Sequence, residues 1–183
     1  MLQRLVLTRG YYVGVSLSTP ELHAALVSAL GGSVRTTSDL GNKPLLLDLD
    51  PPLPSMLRVY LYNLVDPGGV SRTDEYKAVL RVRGHSPGEE RSFECGEGRL
   101  TVLMAYREDL DVFVLWDAAL HPTFTNALNI QVKAANVLKA AVTGTAEQVR
   151  RLNKVRANEL VLLCDSARLP DTLDRRISTT GGV

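Results

Sequence analysis

The chain has 183 residues, a formal net charge of +1 and 45% hydrophobic residues, which is the composition of an ordinary globule with a single sizeable core. This charge balance excludes a global field that would demand nucleic acid or a membrane surface as partner, so local charge must carry any such inference. Two cysteines, Cys95 and Cys164, exclude a disulfide framework and lack the spacing of zinc ligands, so we expect reduced thiols.

Signals for membrane insertion or secretion are weak. The longest apolar runs are far too short to cross a bilayer. At the amino terminus, Arg4 and Arg9 interrupt what would be the apolar core of a signal peptide. We therefore expect a cytoplasmic protein with no membrane partner.

The amino-terminal segment predicts one strand followed by one helix. An apolar stretch predicts the strand from about Leu5 to Leu17. The run from Ser18 to Glu21, with proline in the first turn, is typical of a helix start, and leucines spaced by four predict a helix from Pro20 to Leu30. Gly31 and Gly32 then end this helix.

A proline cluster follows the next predicted strand. Residues 43–48 predict a buried strand, and prolines at 51, 52 and 54 break the chain directly after it. The cluster is the best candidate for an internal boundary and would leave residues 1–50 as a small amino-terminal lobe. We otherwise expect one domain over residues 1–178 and a frayed tail or linker at 179–183.

The segment from Arg58 to Gly84 contains the densest functional pattern. Its first half alternates with a period of two, which places Arg58, Tyr60 and Tyr62 on one strand face. A Pro67-Gly68-Gly69 turn and a second alternating run follow. The pattern predicts one β-hairpin with an aromatic and basic face.

Strand signals dominate the middle of the chain. Ser86 to Gly98 is polar and acidic, which predicts an exposed connection with a short edge strand. Leu100 to Tyr106 and Asp111 to Trp116 predict two strands joined by a tight turn.

The carboxy-terminal third mixes helix and strand signals. The apolar spacing predicts a helix from Gln131 to Thr143, and residues 145–147 predict a second helical or turn segment. Leu160 to Cys164 predicts a strand, and Pro170 to Ile177 predicts a short polar helix. The whole chain thus predicts an α+β fold with a curved antiparallel or mixed sheet, or a partly open barrel, flanked by two or three helices.

Local positive charge is strongest between residues 131 and 158, where Glu147 is the only acid. Lysine and arginine bind phosphates, and the interleaved amides reach base edges, so this block predicts DNA contacts. A solvated basic face is the alternative. Together with side chains from the preceding strands, the candidate DNA-binding set is Tyr60, Tyr62, Arg72, Lys77, Arg81, Trp116, Asp117, Asn129, Gln131, Lys133, Arg150 and Arg151.

Trp116 and Asp117 end an apolar strand. A tryptophan beside an acid at a pocket mouth can stack an extruded base and accept a hydrogen bond from its exocyclic amino group. The alternative is a core tryptophan followed by an aspartate that caps the next turn. His121 precedes a proline and is interpreted as a turn residue.

Asp66, Glu75 and Lys77 form a pattern found in magnesium-dependent nucleases. Two carboxylates would hold the ion against the scissile phosphate, and the lysine would position water or stabilise charge. Solvated cross-strand charges give the same pattern. We therefore expect a binding domain rather than an enzyme, with no cofactor and no metal, and keep the Mg²⁺-dependent nuclease as an alternative.

Three stretches together resemble a known family: YLYNLVDPGGVSRTDEYK, VFVLWDAALH and NIQVK. Their order, over about residues 56–165, is similar to the amino-terminal recognition region of some restriction endonucleases, including modification-dependent ones. The resemblance implies a compact barrel-like, β-rich domain that reads DNA while a separate nuclease domain cuts it. It implicates Asp74, Glu75, Tyr76, Lys77, Trp116, Asp117, Asn129 and Gln131.

The leading hypothesis is a DNA-recognition module of a restriction or defence protein that reads a modified or flipped base. Its partners would be DNA and a nuclease domain or subunit. Two alternatives stay open. One is the magnesium-dependent nuclease, and the other is a protein-interaction or assembly domain that pairs through exposed strand edges or a leucine-rich face.

Overall fold

The fold is built from strands, with three helices packed on them in the described part of the chain. A computed structural model describes residues 16–54, 56–66, 74–82 and 84–180. The strands are β1 (Val34–Thr37), β2 (Leu45–Leu49), β3 (Met56–Asn63), β4 (Glu75–Leu80), β5 (Glu90–Arg91), β6 (Leu100–Arg107), β7 (Val112–Trp116), β8 (Phe124–Thr125), β9 (Leu128–Lys133), β10 (Thr145–Leu152) and β11 (Ala157–Cys164). The helices are α1 (Thr19–Leu30), α2 (Ala134–Thr143) and α3 (Leu169–Ser178).

Seven strands form a central mixed sheet in the order β1-β2-β3-β6-β7-β11-β10. Strands β3 and β6 are parallel, and the other neighbours in this sheet are antiparallel. Two small antiparallel sheets pair β4 with β9 and β5 with β8. The α+β prediction with a mixed sheet is thereby confirmed. The sheet is not closed into a barrel, because the described edge strands β1 and β10 do not pair with each other.

Each face of the central sheet has its own apolar core. Helices α1 and α3 cover one face, where Leu26 and Leu173 join a cluster with Phe113. The β4–β9 pair and α2 cover the other face, where Trp116 and Val137 belong to a second cluster. Because both faces are covered, a central strand such as β7 is buried along its whole length and has no polar face.

Helix α1 confirms the predicted helix from Pro20 to Leu30. The Glu21 carboxylate accepts a hydrogen bond from the Ser18 backbone N–H at 2.7 Å, which satisfies a free donor at the helix start. Leu22, Leu26 and Leu30 lie on its buried face, as their spacing predicts.

The hairpin predicted from Arg58 to Gly84 is wrong. Strand β3 lies inside the central sheet, whereas β4 pairs with β9 from a distant part of the chain. Among the described residues, the ladder between the two segments is limited to the bridge Val65↔Lys77. The predicted turn at residues 67–69 lies outside the described ranges. The Tyr60 and Tyr62 face is buried rather than exposed, because the small sheets cover it.

The helix predicted from Gln131 to Thr143 is wrong in its first turn. Residues 128–133 form strand β9, in which Ile130 and Val132 alternate into the core. The helix begins at Ala134. Residues 145–147 are also strand, not helix or turn, because Gly144 adopts a left-handed conformation that ends α2 and returns the chain along β11.

The other predicted elements are confirmed with small shifts. The strands at 43–48, 100–106, 111–116 and 160–164 correspond to β2, β6, β7 and β11, and the polar helix at 170–177 corresponds to α3. The strand predicted from Leu5 falls almost wholly on residues outside the described ranges. The single domain over residues 1–178 stays a prediction. Within the described ranges, every helix is too short or too polar to cross a membrane.

Candidate nucleic-acid interface

A cleft of about 380 Å³ lies between β9 and the β10–β11 hairpin, and we call it the hairpin cleft. Its positively charged and amide residues are Asn129, Gln131, Arg150, Arg151, Asn153 and Lys154. Its apolar side chains include Phe124, Leu128 and Val155. Arg150 and Arg151 are neighbours on β10, so their side chains point to opposite faces of the strand. None of the described lining residues is an aspartate or glutamate, so the opening of the cleft is cationic.

The hairpin beside this cleft is a regular antiparallel ribbon. Its register is unbroken from Thr145↔Cys164 to Leu152↔Ala157. The connecting residues 153–156 are all exposed, and Arg156 takes a positive φ of 55° that closes the turn. The hairpin forms one edge of the central sheet, and its exposed tip carries positive and amide residues that could contact DNA.

A buried carboxylate, Glu159, supports the hairpin cleft from beneath. Its side chain is fully buried. One oxygen accepts hydrogen bonds from His121 Nε2 at 2.9 Å and from the Asp117 backbone N–H at 3.1 Å. The other accepts from Arg150 Nε at 2.5 Å. Because Arg150 Nη1 also donates to the Gln131 carbonyl at 3.1 Å, the ion pair fixes β10 against β9.

The surroundings of Glu159 keep it ionised. Burial by itself would raise the pKa of this carboxyl, since a charge is disfavoured away from water. The hydrogen bond from His121 and the charge of Arg150 outweigh burial, and the pKa lies below its ordinary value. A carboxylate only accepts hydrogen bonds, so His121 donates through Nε2.

The methylase-associated X1 family matches residues 55–173, which is more than half of the chain and contains the whole hairpin cleft. The chain belongs to this family. Membership supports the link to methylase and restriction systems that the resemblance implies. That the chain is a DNA-recognition domain stays a prediction. Comparison with curated proteins and with solved structures finds no match.

In this X1-family chain, only part of the predicted DNA-binding set meets at one place. Asn129, Gln131, Arg150 and Arg151 line the hairpin cleft. Lys133 ends the same strand, β9, but its Nζ lies 2.9 Å from an Asp74 carboxylate oxygen and 3.0 Å from one of Glu75. Tyr62 and Arg81 line a different cavity. Arg72 lies outside the described residues.

Trp116 and Asp117 lie in the interior of the X1 fold. Each is only 1% exposed. The Asp117 carboxylate accepts a hydrogen bond from the Ala119 backbone N–H at 3.0 Å and lies 3.5 Å from Arg176. Tyr60 is buried too, and its hydroxyl accepts from the Glu94 backbone N–H at 3.0 Å. In this arrangement neither ring has a face open to a base.

The three residues of the nuclease pattern are divided between two environments. Asp66 accepts a hydrogen bond from Arg107 Nη1 at 3.0 Å, on the side of Tyr76. Glu75 and Lys77 alternate with Tyr76 along β4 and point to its other face. The described residues contain no group of three or more side chains placed to hold a metal ion.

Two members of the site carry roles that the sequence pattern did not assign to them. Glu159 precedes an apolar run and has no partner nearby in sequence, and the proline after His121 indicates only a turn. The register of the hairpin pairs Arg150 with Glu159. Counting back from a turn at residues 153–156 would have identified this pair.

Proposed function

We propose that this X1-family chain is a DNA-recognition module that acts beside a methylase in a restriction or defence system. The observation that carries the proposal is the convergence of four predicted DNA-contacting residues with the hairpin tip on one cationic cleft. The family match adds a methylase context. The module binds DNA, and its catalytic partner is a separate domain or subunit.

The cleft side chains divide into two roles by their chemistry. Arg151, near the end of β10, and Lys154, in the turn, are exposed cations and bind backbone phosphates. Asn129 and Asn153 are exposed amides that donate and accept, as base edges require. Arg150 already bonds Glu159 and the Gln131 carbonyl, so it positions the ribbon rather than reading a base.

The apolar rim of the hairpin cleft suits a methylated base. Leu128 and Val155 both line the cleft and are 45% and 40% exposed. Apolar side chains contact the methyl group of thymine in the major groove, and the methyl group of 5-methylcytosine occupies the equivalent position. We assign recognition of a modified base to this rim, and no base needs to leave the duplex.

Removing the exposed cations of the cleft is expected to weaken DNA binding. Arg151→Ala and Lys154→Ala should each reduce affinity for a short duplex about 3- to 10-fold at about 100 mM salt, because each loses one phosphate contact. The double variant should also lower the slope of log affinity against log salt by about two. Fluorescence anisotropy with unmodified and cytosine-methylated duplexes measures both quantities.

Arg35→Ala is the matched control for these variants. Arg35 lies on β1, at the edge of the central sheet opposite β10, and is half-exposed beside Asp50. Its removal should leave DNA affinity unchanged. Absence of salt-sensitive binding by the natural chain, or an equal loss in Arg35→Ala, would contradict the proposal.

An assembly domain is the second candidate, favoured by the outer surface of α2. Leu138 and Val142 lie one turn apart and are 50% and 85% exposed. A concentration-dependent dimer in analytical ultracentrifugation that Val142→Glu abolishes, together with no DNA affinity, would favour this candidate over the first.

A further inference from the structure

A second cavity, of about 580 Å³, lies between the start of α1, the loop before β2, and the ends of β3 and β4. We call it the Lys43 pocket. Its polar side chains include Lys43, Tyr62, Asn63 and Arg81. Its apolar wall includes Leu22, Val65 and Val79. The described lining contains two cations and no carboxylate, and it shares no residue with the hairpin cleft.

Lys43 is held over an aromatic ring instead of beside an acid. Its Nζ lies 3.6 Å from the centroid of the Tyr62 ring, which is a cation–π contact. Two acids, Glu94 and Glu97, line an adjoining cavity with Lys43. Both are directed at Arg58, whose Nη2 is 2.8 Å from a Glu97 oxygen. Among the described residues, no carboxylate forms an ion pair with Lys43, whose ammonium lies over the ring of a residue that lines the pocket.

Burial lowers the pKa of Lys43 to about 7. In the described part of the chain, the charged or titratable groups that surround it on the neighbouring elements are His23, Arg58, Tyr62, Arg81, Glu94 and Glu97. An anion placed in the pocket would favour the charged amine, because an opposite charge a few ångströms away stabilises it. Ligand binding would then draw a proton from solvent onto Lys43.

We propose that the Lys43 pocket binds a free phosphate monoester of mononucleotide size, with the phosphate between Lys43 and Arg81 and the organic part against the apolar wall. The cavity volume falls within the range of small-molecule sites, about 300–1,000 Å³. Lysine and arginine are the side chains that bind phosphate in proteins, arginine through paired donors. The pocket is separate from the hairpin cleft, so this inference does not rest on the proposed function.

Isothermal titration calorimetry of the full chain tests the pocket with three small-molecule probes and one oligonucleotide. Deoxyadenosine monophosphate and inorganic phosphate are expected to bind at pH 7, and deoxyadenosine, which lacks the phosphate, is not. A 5′-phosphorylated oligonucleotide, compared with the same oligonucleotide without its 5′ phosphate, distinguishes the other source of the same group from binding at the hairpin cleft. If the oligonucleotide binds and the free nucleotide does not, the proposal of a free ligand is overturned.

Two variants test whether the ligand binds at the cations of the pocket. Lys43→Met and Arg81→Met should each weaken binding of the nucleotide at least tenfold. Arg81 is exposed, so its replacement keeps the test valid if Lys43→Met disturbs folding. Lys139→Met is the matched control, because Lys139 is an exposed lysine on α2 that lines neither cavity.

The affinity should also fall as pH rises. With a pKa of about 7, half of the Lys43 amines are charged at pH 7 and about one in a hundred at pH 9. The phosphate is mainly dianionic over this range, so nucleotide affinity should drop at least about tenfold between pH 7 and pH 9. A flat pH profile, natural affinity in Lys43→Met, or equal binding of deoxyadenosine would overturn the proposal. Unchanged nucleotide binding in Arg151→Ala would show that the Lys43 pocket binds its ligand independently of the hairpin cleft.

Discussion

Replacing Glu159 with glutamine is expected to lower the free energy of unfolding by about 3 kcal/mol. The glutamine would leave the Arg150 guanidinium without its carboxylate and would bring an amide donor against His121. Breaking a buried ion pair by removing one partner is destabilising by about 3–5 kcal/mol. We take the lower end because the Arg150 side chain keeps 20% exposure. Urea unfolding monitored by circular dichroism measures the difference.

Acid should reduce this contribution in the natural chain. Since the pKa of Glu159 in the folded state lies below the ordinary glutamate value of 4.5, the ionised carboxylate stabilises the fold above that pH. The stabilisation is lost as pH falls through the lower, folded-state pKa. The difference in free energy of unfolding between the natural chain and Glu159→Gln should therefore become smaller as the pH is lowered.

Glu90→Gln is the matched control for Glu159→Gln. Glu90 is an exposed glutamate in β5, and its replacement should change stability by less than about 0.5 kcal/mol. If Glu159→Gln unfolds at the same urea concentration as the natural chain, the buried ion pair does not hold β10 against β9.

Local patterns account for the elements that the sequence predicted correctly. Leu22, Leu26 and Leu30 recur with the period of a helix and face one core, so α1 is visible without tertiary information. Strands β6 and β7 are long apolar runs separated by a short polar turn, and sequence neighbours of this kind usually pair.

Non-local pairing explains the elements that the sequence predicted wrongly. Nothing near Lys77 indicates that its strand pairs with Gln131, and a hairpin with β3 is the natural local expectation. The apolar spacing from Val132 fits a helix, but Ile130 and Val132 are drawn into a strand by the core that β4 and β9 share. Tertiary packing overrides a short periodic signal.

The candidate site was predictable in composition but not in geometry. The basic residues between 129 and 151 are predictable from their charge and the amides from their hydrogen-bonding chemistry, and four of these residues line the hairpin cleft. The cleft itself depends on the turn at residues 153–156, which joins β10 to β11. The sequence predicts a strand only after this turn, so the hairpin that forms the cleft could not be predicted. The burial of Trp116 could not be predicted either, because a strand covered on both faces and a strand that ends at a pocket have the same apolar sequence.

Replacing Trp116 with alanine is expected to lower the free energy of unfolding by about 3–5 kcal/mol, as for other large-to-small core substitutions. Trp116 is 1% exposed and packs in the cluster that contains Val114 and Val161. Trp116→Phe should be milder, at about 1–1.5 kcal/mol, because it keeps a ring and removes an indole Nε1 that has no hydrogen-bond partner among the described residues. Val142→Ala, at an 85% exposed position, is the control and should have little effect.

The same tryptophan reports directly on base stacking, because it is the only one in the chain. A core indole should emit at short wavelength, resist iodide quenching and keep its emission when DNA binds. The DNA affinity of Trp116→Phe should then match that of the natural chain. A stacked indole would be quenched by DNA, and its removal would weaken binding by the 1–3 kcal/mol typical of base–aromatic stacking. Quenching by DNA would show that Trp116 contacts DNA. Unchanged emission together with a loss of DNA affinity in Arg151→Ala would indicate that DNA binds at the hairpin cleft.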